Sequence, residues 1–173
     1  MIGNRKEYKM AVLDIREYGQ DDVLLKVCKP VKELTPKLKT LIDDMYDTMY
    51  DADGVGLAAP QVGVLRRICV LDIGEGPVTL INPVVLETSG EQTGNEGCLS
   101  VPGKTGVVTR PNYAKVKALN EDMEEIIVEG EELMARALLH EIDHLDGHIY
   151  TEKVEGELYD VEDLVEEIDE DEE

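Results

Sequence analysis

Apolar positions recur along this chain with two periods, and each period predicts its own kind of element. In "TPKLKTLIDDMYDTMYDA", residues 35 to about 52, Leu38, Leu41, Ile42, Met45 and Met49 fall at helical spacing. Thr35 as N-cap and Pro36 at the first position predict where that helix starts, and "DADGVG" predicts where it stops. Two short β-type runs follow, "RRICVLDI" and "VTLINPVVLE". "GVVTRP" and "YAKVKALNEDMEEIIVEG" alternate apolar with polar, and "NED" predicts a hairpin turn inside the second. From about Glu131 the helical period returns and runs to a break at Gly147. Leu158, Val161, Val165 and Ile168 predict a C-terminal helix that docks by one stripe, with "DEDEE" fraying into solvent. Strands grouped between helices predict an α+β fold. Small antiparallel or mixed sheets would pack around the central helix, flanked by an N-terminal helix and an acidic C-terminal one. No internal repeat is present.

Composition narrows the function classes. The 173 residues suit one domain, and with no Trp and no Phe its core must be built from Leu, Val, Ile, Met and Tyr. The formal charge is −22; residues 151–173 hold 13 acids and one Lys, so they supply −12 of it. Such a charge argues against binding nucleic acid or anionic lipid. There is no apolar run of about 18 residues to span a membrane and no apolar h-region at the start. Three cysteines, an odd number, do not resemble a disulfide framework, and a reducing cytoplasm fits them. Residues 1–9 read as an extension ahead of a natural start at Met10.

Chemistry enters with "LLHEIDHLDG". On a helix, His140 and His144 lie on one face and could aim two ring nitrogens at one metal ion, with Glu141 beside it. On these residues alone, a polar patch on an acidic helix reads equally well. A catalytic site commonly needs a third protein ligand. Three sources are open: an acid of the tail (Glu162, Glu166 or Glu167), His148 beyond Gly147, and Cys98 in "NEGCLSVPG", which reads as a loop between strands. Cys98 is favoured, because Cys28 and Cys69 sit in apolar runs that read as packing, and a match in so acidic a tail means little.

"GVGLAAPQVG" (54–63), "EGCLS" (96–100) and "HEIDH" (140–144) stand in the order and spacing of the peptide deformylases, and the chain resembles that family from about Met10 to Tyr150. "MAVLDIREYG", "INPVV" and "TRP" add to the likeness. The family removes the N-formyl group from the initiator methionine of new bacterial chains. The resemblance implies a catalytic domain over 10–157, followed by an acidic tail at 158–173. It implies that Cys98, His140 and His144 hold one divalent metal, with the fourth position left to water. Ferrous iron is expected as the native ion, with zinc, nickel or cobalt accepted. Glu141 would act as general base and then acid. The Gln61 amide and the Leu99 backbone N–H would receive the developing oxyanion. An extended formylmethionyl peptide would pair with Val55–Gly56 and the Gly97 region, its methionine entering a pocket near Val55, Leu133 and Ala137. Glu96 and Arg110 would clamp the Cys98 loop, and Asp143 would either orient a ligand imidazole or be a plain surface acid.

Rival readings have signatures of their own. A phosphate loop at "GVGLAAPQVG" lacks the GKS or GKT that should follow. A peptidase using a tail glutamate would not need Cys98. A non-catalytic relative would lack the base or the oxyanion donor, and both Glu141 and Gln61 are present. The chain also departs from many relatives. Leu139 stands where they carry glutamine, "EDMEE" replaces their "DGxP", and the tail is acidic where some end in a basic ribosome-contacting helix. A segment of charge −12 should avoid RNA. The expected setting is cytoplasmic, near the ribosome but not held there by the tail, with no nucleic-acid or membrane partner.

Overall fold

The first long helix, α1 (Pro36–Asp51), begins as its local sequence dictates: the Thr35 hydroxyl accepts the Leu38 N–H at 3.3 Å, and Pro36 fills the first turn. Its stripe of Ile42, Met45 and Met49 is fully buried. The computed structural model describes residues 11–164. The expected extension at 1–9 lies outside the described residues, as do Val165, Ile168, Glu166, Glu167 and "DEDEE".

Eight strands follow: β1 (Gly56–Ala58), β2 (Ile68–Leu71), β3 (Val78–Ser89), β4 (Gln92–Cys98), β5 (Val101–Arg110), β6 (Tyr113–Leu119), β7 (Glu125–Glu131) and, after helix α2 (Leu133–Leu145), β8 (Val154–Asp160). They form two sheets, β1-β2-β3-β6-β7 and β4-β5-β8, in which every named pair is antiparallel. The β6–β7 turn is the expected "NED" hairpin: the Asn120 side chain accepts the Asp122 and Glu124 N–H groups, and Met123 takes a positive φ of 58°.

The larger sheet is covered on both faces, which explains why β2 reads as an unbroken apolar run. Leu57, Ile68, Val70 and Ile81 pack against α1, while Ala58, Cys69, Leu71 and Leu80 pack against α2 through Ala135, Leu138, Ile142 and Leu145. Each fully buried Leu, Ile or Met contributes about 1.5–3 kcal/mol by leaving water. Cys28 and Cys69 are packing residues in this core, and Leu139 packs against it, partly buried.

Three expectations are corrected. Helix α2 starts at Leu133, later than about Glu131, because Glu131 is still paired to Tyr113 and the Glu132 N–H donates to the Asn112 carbonyl at 2.8 Å. The segment around Cys98, read as a loop, is the end of strand β4, zipped onto β5 from Gln92↔Arg110 to Cys98↔Val101. In the tail, Leu158 lies in β8, opposite β5, so the expected helix does not start there; residues 161–164 are helical. Leu158 and Val161 stay exposed, so no docked stripe forms among the described residues. Among those residues, no helix is long and apolar enough to cross a membrane.

Candidate metal centre and substrate cleft

Helix α2 stacks His140 and His144 on one face, ring centroids 5.0 Å apart. Strand β4 delivers Cys98 from the other sheet, its Sγ 3.3 Å from His144 Nε2. One ligand atom from each of Cys98, His140 and His144 falls within 4.8 Å of the others. Thiolate and imidazole bonds to a small divalent ion run about 2.0–2.3 Å, so donors this close fit a single ion. Of the rival third ligands, those among the described residues do not converge: His148 points into solvent and pairs with Glu152 at 3.1 Å, and Glu162 is exposed. Burial, and the neighbouring His140, hold the His144 imidazole well below its ordinary pKa, which keeps it in the neutral form that ligates.

Behind the cluster sits Glu96, a carboxylate almost wholly buried. It accepts Arg110 Nε and Nη2 at 2.7 Å each, Arg136 Nη1 at 2.8 Å, and faces His140 Nδ1 at 2.8 Å. Burial alone would raise its pKa, but the hydrogen bonds from His140 and Arg110 outweigh that and hold its carboxyl well below the usual range. Pinning Nδ1 leaves His140 Nε2 to face the cluster. Asp143 does not orient a ligand ring; it pairs with Arg110 Nη1 at 3.0 Å and so braces the same clamp from the helix.

In front of the cluster lies a cavity of about 480 Å³, lined among others by Val55, Gly56, Gly97, Leu133 and Ala137. Gln61, from the 3-10 turn after β1, is buried: its Oε1 accepts the Ala58 N–H at 2.9 Å, and its Nε2 reaches Ser100 Oγ at 3.1 Å and Cys98 Sγ at 3.5 Å. Leu99 lines the cavity at the β4–β5 turn. Glu141 also lines it, its Oε1 3.9 Å from His140 Nε2 and its buried Oε2 without a partner. Burial pushes the Glu141 carboxyl up to about 7, against the pull of His140.

The model of the polypeptide deformylase family matches residues 12–158. The chain belongs to this family. It is 65% identical over 152 residues to a peptide deformylase of Agathobacter rectalis, covering 88% of this chain and 96% of that protein. The solved peptide deformylase of Legionella pneumophila superposes with a TM-score of 0.81 at 42% identity, covering 84% of this chain and 87% of that one. That of Thermotoga maritima gives 0.81 at 42% identity, covering 84% and 99%. The deformylase motifs named from the sequence are those that meet at the cleft: Gln61, Cys98, Leu99, His140 and Glu141 line one space, and His144 completes the ligand cluster with Cys98 and His140.

Sequence reasoning missed Arg136, whose guanidinium bridges Glu96 and the Val108 carbonyl at 3.1 Å. Its place four residues before His140 puts it on the ligand face, which is the signal that could have found it. It also missed why Gly56 is glycine. A Cβ there would stand 2.6 Å from Glu141 Oε1, so Gly56→Ala must push that carboxylate aside. With Glu141 as the base expected from the sequence, Gly56→Ala should lower kcat about a hundredfold, since ångström-scale displacement of a reacting group costs that much. The thermal midpoint should shift only slightly; kcat and melting temperature measured on one preparation check this.

Proposed function

We propose that the chain hydrolyses the formamide bond of N-formylmethionyl peptides, releasing formate and a free α-amine. The observation that carries this reading is the unpartnered, buried Glu141 carboxylate standing beside a convergent Cys-His-His cluster at the floor of the cleft. Cys98, His140 and His144 would hold a divalent cation; bound there, it supplies Lewis acidity and lowers the pKa of water toward neutrality. Ferrous iron is our assignment for the native ion, although one thiolate with two imidazoles also suits zinc, nickel or cobalt.

Glu141 takes the proton of the attacking water, which a carboxyl raised to about 7 does near neutral pH, and hands it on to the more basic departing amine. The oxyanion that develops from the formyl oxygen is received by Gln61 Nε2 and the Leu99 N–H. Each of the flanking strands, β1 and β4, is the outermost strand of its sheet. An extended peptide can therefore pair with Val55–Gly56 on one side and the Gly97 region on the other, through backbone alone. Its methionine side chain enters beside Val55, Leu133 and Ala137. Backbone pairing carries little sequence information, so tolerance beyond the first residues follows. The setting is the cytoplasm, beside ribosomes emitting new chains, with the acidic tail kept off RNA by its charge.

Formate release from formyl-Met-Ala-Ser, with metal assayed in parallel on anaerobically purified protein, tests the reading. Turnover with about one ion per chain is expected, and Cys98→Ala should lose both. A folded, metal-loaded protein that releases no formate overturns it.

A further inference from the structure

Residues 11–17 run as a strap outside the sheets, their side chains alternating partly buried and exposed, and Tyr18 opens the turn that ends it. The strap touches both halves of the oxyanion site. The Arg16 N–H donates to the Gln61 carbonyl at 2.7 Å, and the Tyr18 N–H donates to the Ser100 carbonyl at 2.8 Å. Gln61 follows β1 of the larger sheet, whereas Ser100 is in the β4–β5 turn of the smaller one. Between the two acceptors, Gln61 Nε2 bonds Ser100 Oγ at 3.1 Å. Two amides two residues apart on an extended chain stand about 6.6 Å apart and face the same way. We propose that this strap is a spacer: through the N–H groups of Arg16 and Tyr18 it fixes the separation of Gln61 from the Leu99–Ser100 turn, and so positions the two oxyanion donors.

The side chains concerned are not what the device uses. Arg16 and Tyr18 are exposed. The Arg16 guanidinium pairs with Asp21 at 2.7 Å and lies over Gly63, where a Cβ would come within 2.9 Å of Nη2. Leu13 anchors the other end, its N–H donating to Thr48 Oγ1 on α1 at 2.9 Å. Arg16 and Tyr18 are therefore positioning residues acting by their backbone.

The inference rests on the deformylase reading for its catalytic consequence but not for its structural one, so two readouts separate them. Tyr18→Pro removes one N–H, and a backbone ester at residue 18 removes it with no ring to accommodate. Each should lower kcat roughly ten- to hundredfold with KM and bound metal little changed, since the donors are lost to misplacement rather than deleted. In parallel, the Gln61 side-chain amide protons, followed by NMR in the full-length protein, should exchange about tenfold faster as the turn loosens. Tyr18→Ala keeps the amide and should keep Gln61 protected. Asp14→Pro, which removes an N–H that makes neither strap bond, should leave turnover unchanged. A folded ester variant with parental Gln61 exchange overturns the proposal, and so does loosened Gln61 with parental kcat. If the parent protein releases no formate, the deformylase reading falls, and Gln61 exchange alone then decides whether the strap is a spacer.

Discussion

Glu141→Gln is expected to abolish turnover while leaving the protein folded and its metal bound. The substitution keeps shape and removes the proton acceptor, and a positioned general base and acid is worth about 10²–10⁴ in rate. We expect kcat to fall about a thousandfold or more, because here one group serves both proton transfers. KM should stay within a few fold, since in the proposed reading strand edges and an apolar pocket hold the peptide, not this carboxylate. Stability should move the other way. The Glu141 side chain is 5% exposed, and Oε2 has no hydrogen-bond partner. Burying a charge so poorly compensated is costly, so the neutral amide should hold or raise the melting temperature. Lost activity with gained stability marks a group kept for chemistry. Kinetics, metal content and thermal unfolding on one preparation decide it; a variant retaining a tenth of the parent kcat would remove Glu141 from the base role.

What was legible in the sequence was what local rules govern. The cap at Thr35, the stripe of α1 and the i, i+4 pair His140 and His144 each lie within a few residues of one another. The alternation in β6 and β7 is equally local, and the "NED" turn joins them. What was not legible depends on partners distant in the chain. "QTGNEGC" holds few β-formers and becomes a strand only because β5 pairs along it. Leu158 and Val161 have helical spacing, yet pairing of 154–160 with β5 claims the first of them. Arg136 in a helix reads as a solvent-facing cation, and it is buried only because a carboxylate 40 residues away waits for it. The strap at 11–17, with the turn that Tyr18 opens, works through amides that every residue but proline carries, so no side-chain pattern announces it.

Glu96→Gln should be the most destabilising of the single changes at this site. The Glu96 carboxylate, 4% exposed, compensates Arg110 and Arg136 and fixes His140 Nδ1. An amide offers one acceptor oxygen where two are needed, and turns an N–H₂ toward guanidinium groups that can only donate, or toward a His140 Nδ1 that can accept only in the other tautomer. With the amide oxygen in the Oε1 place, Arg136 Nη1 and Arg110 Nε keep their acceptor, while Arg110 Nη2 and His140 Nδ1 lose theirs; in the flipped rotamer the loss falls on Arg136 Nη1 and Arg110 Nε instead. Breaking a buried pair in this way costs about 3–5 kcal/mol, which for a chain of this size lowers the melting temperature by about 10 °C. Metal affinity should also fall about ten- to hundredfold, because His140 loses the partner that sets its tautomer and aim. The pH dependence has a definite sign. Because the folded pKa of Glu96 is depressed, its contribution is full above the unfolded value of about 4.3 and is lost only as pH falls through the folded value. The gap between parent and variant should therefore persist from pH 8 to pH 5 in chelator-treated protein. A gap under about 1 kcal/mol, the size of an exposed pair, would mean that the two guanidiniums find other partners and that the Glu96 hub does not hold the site together.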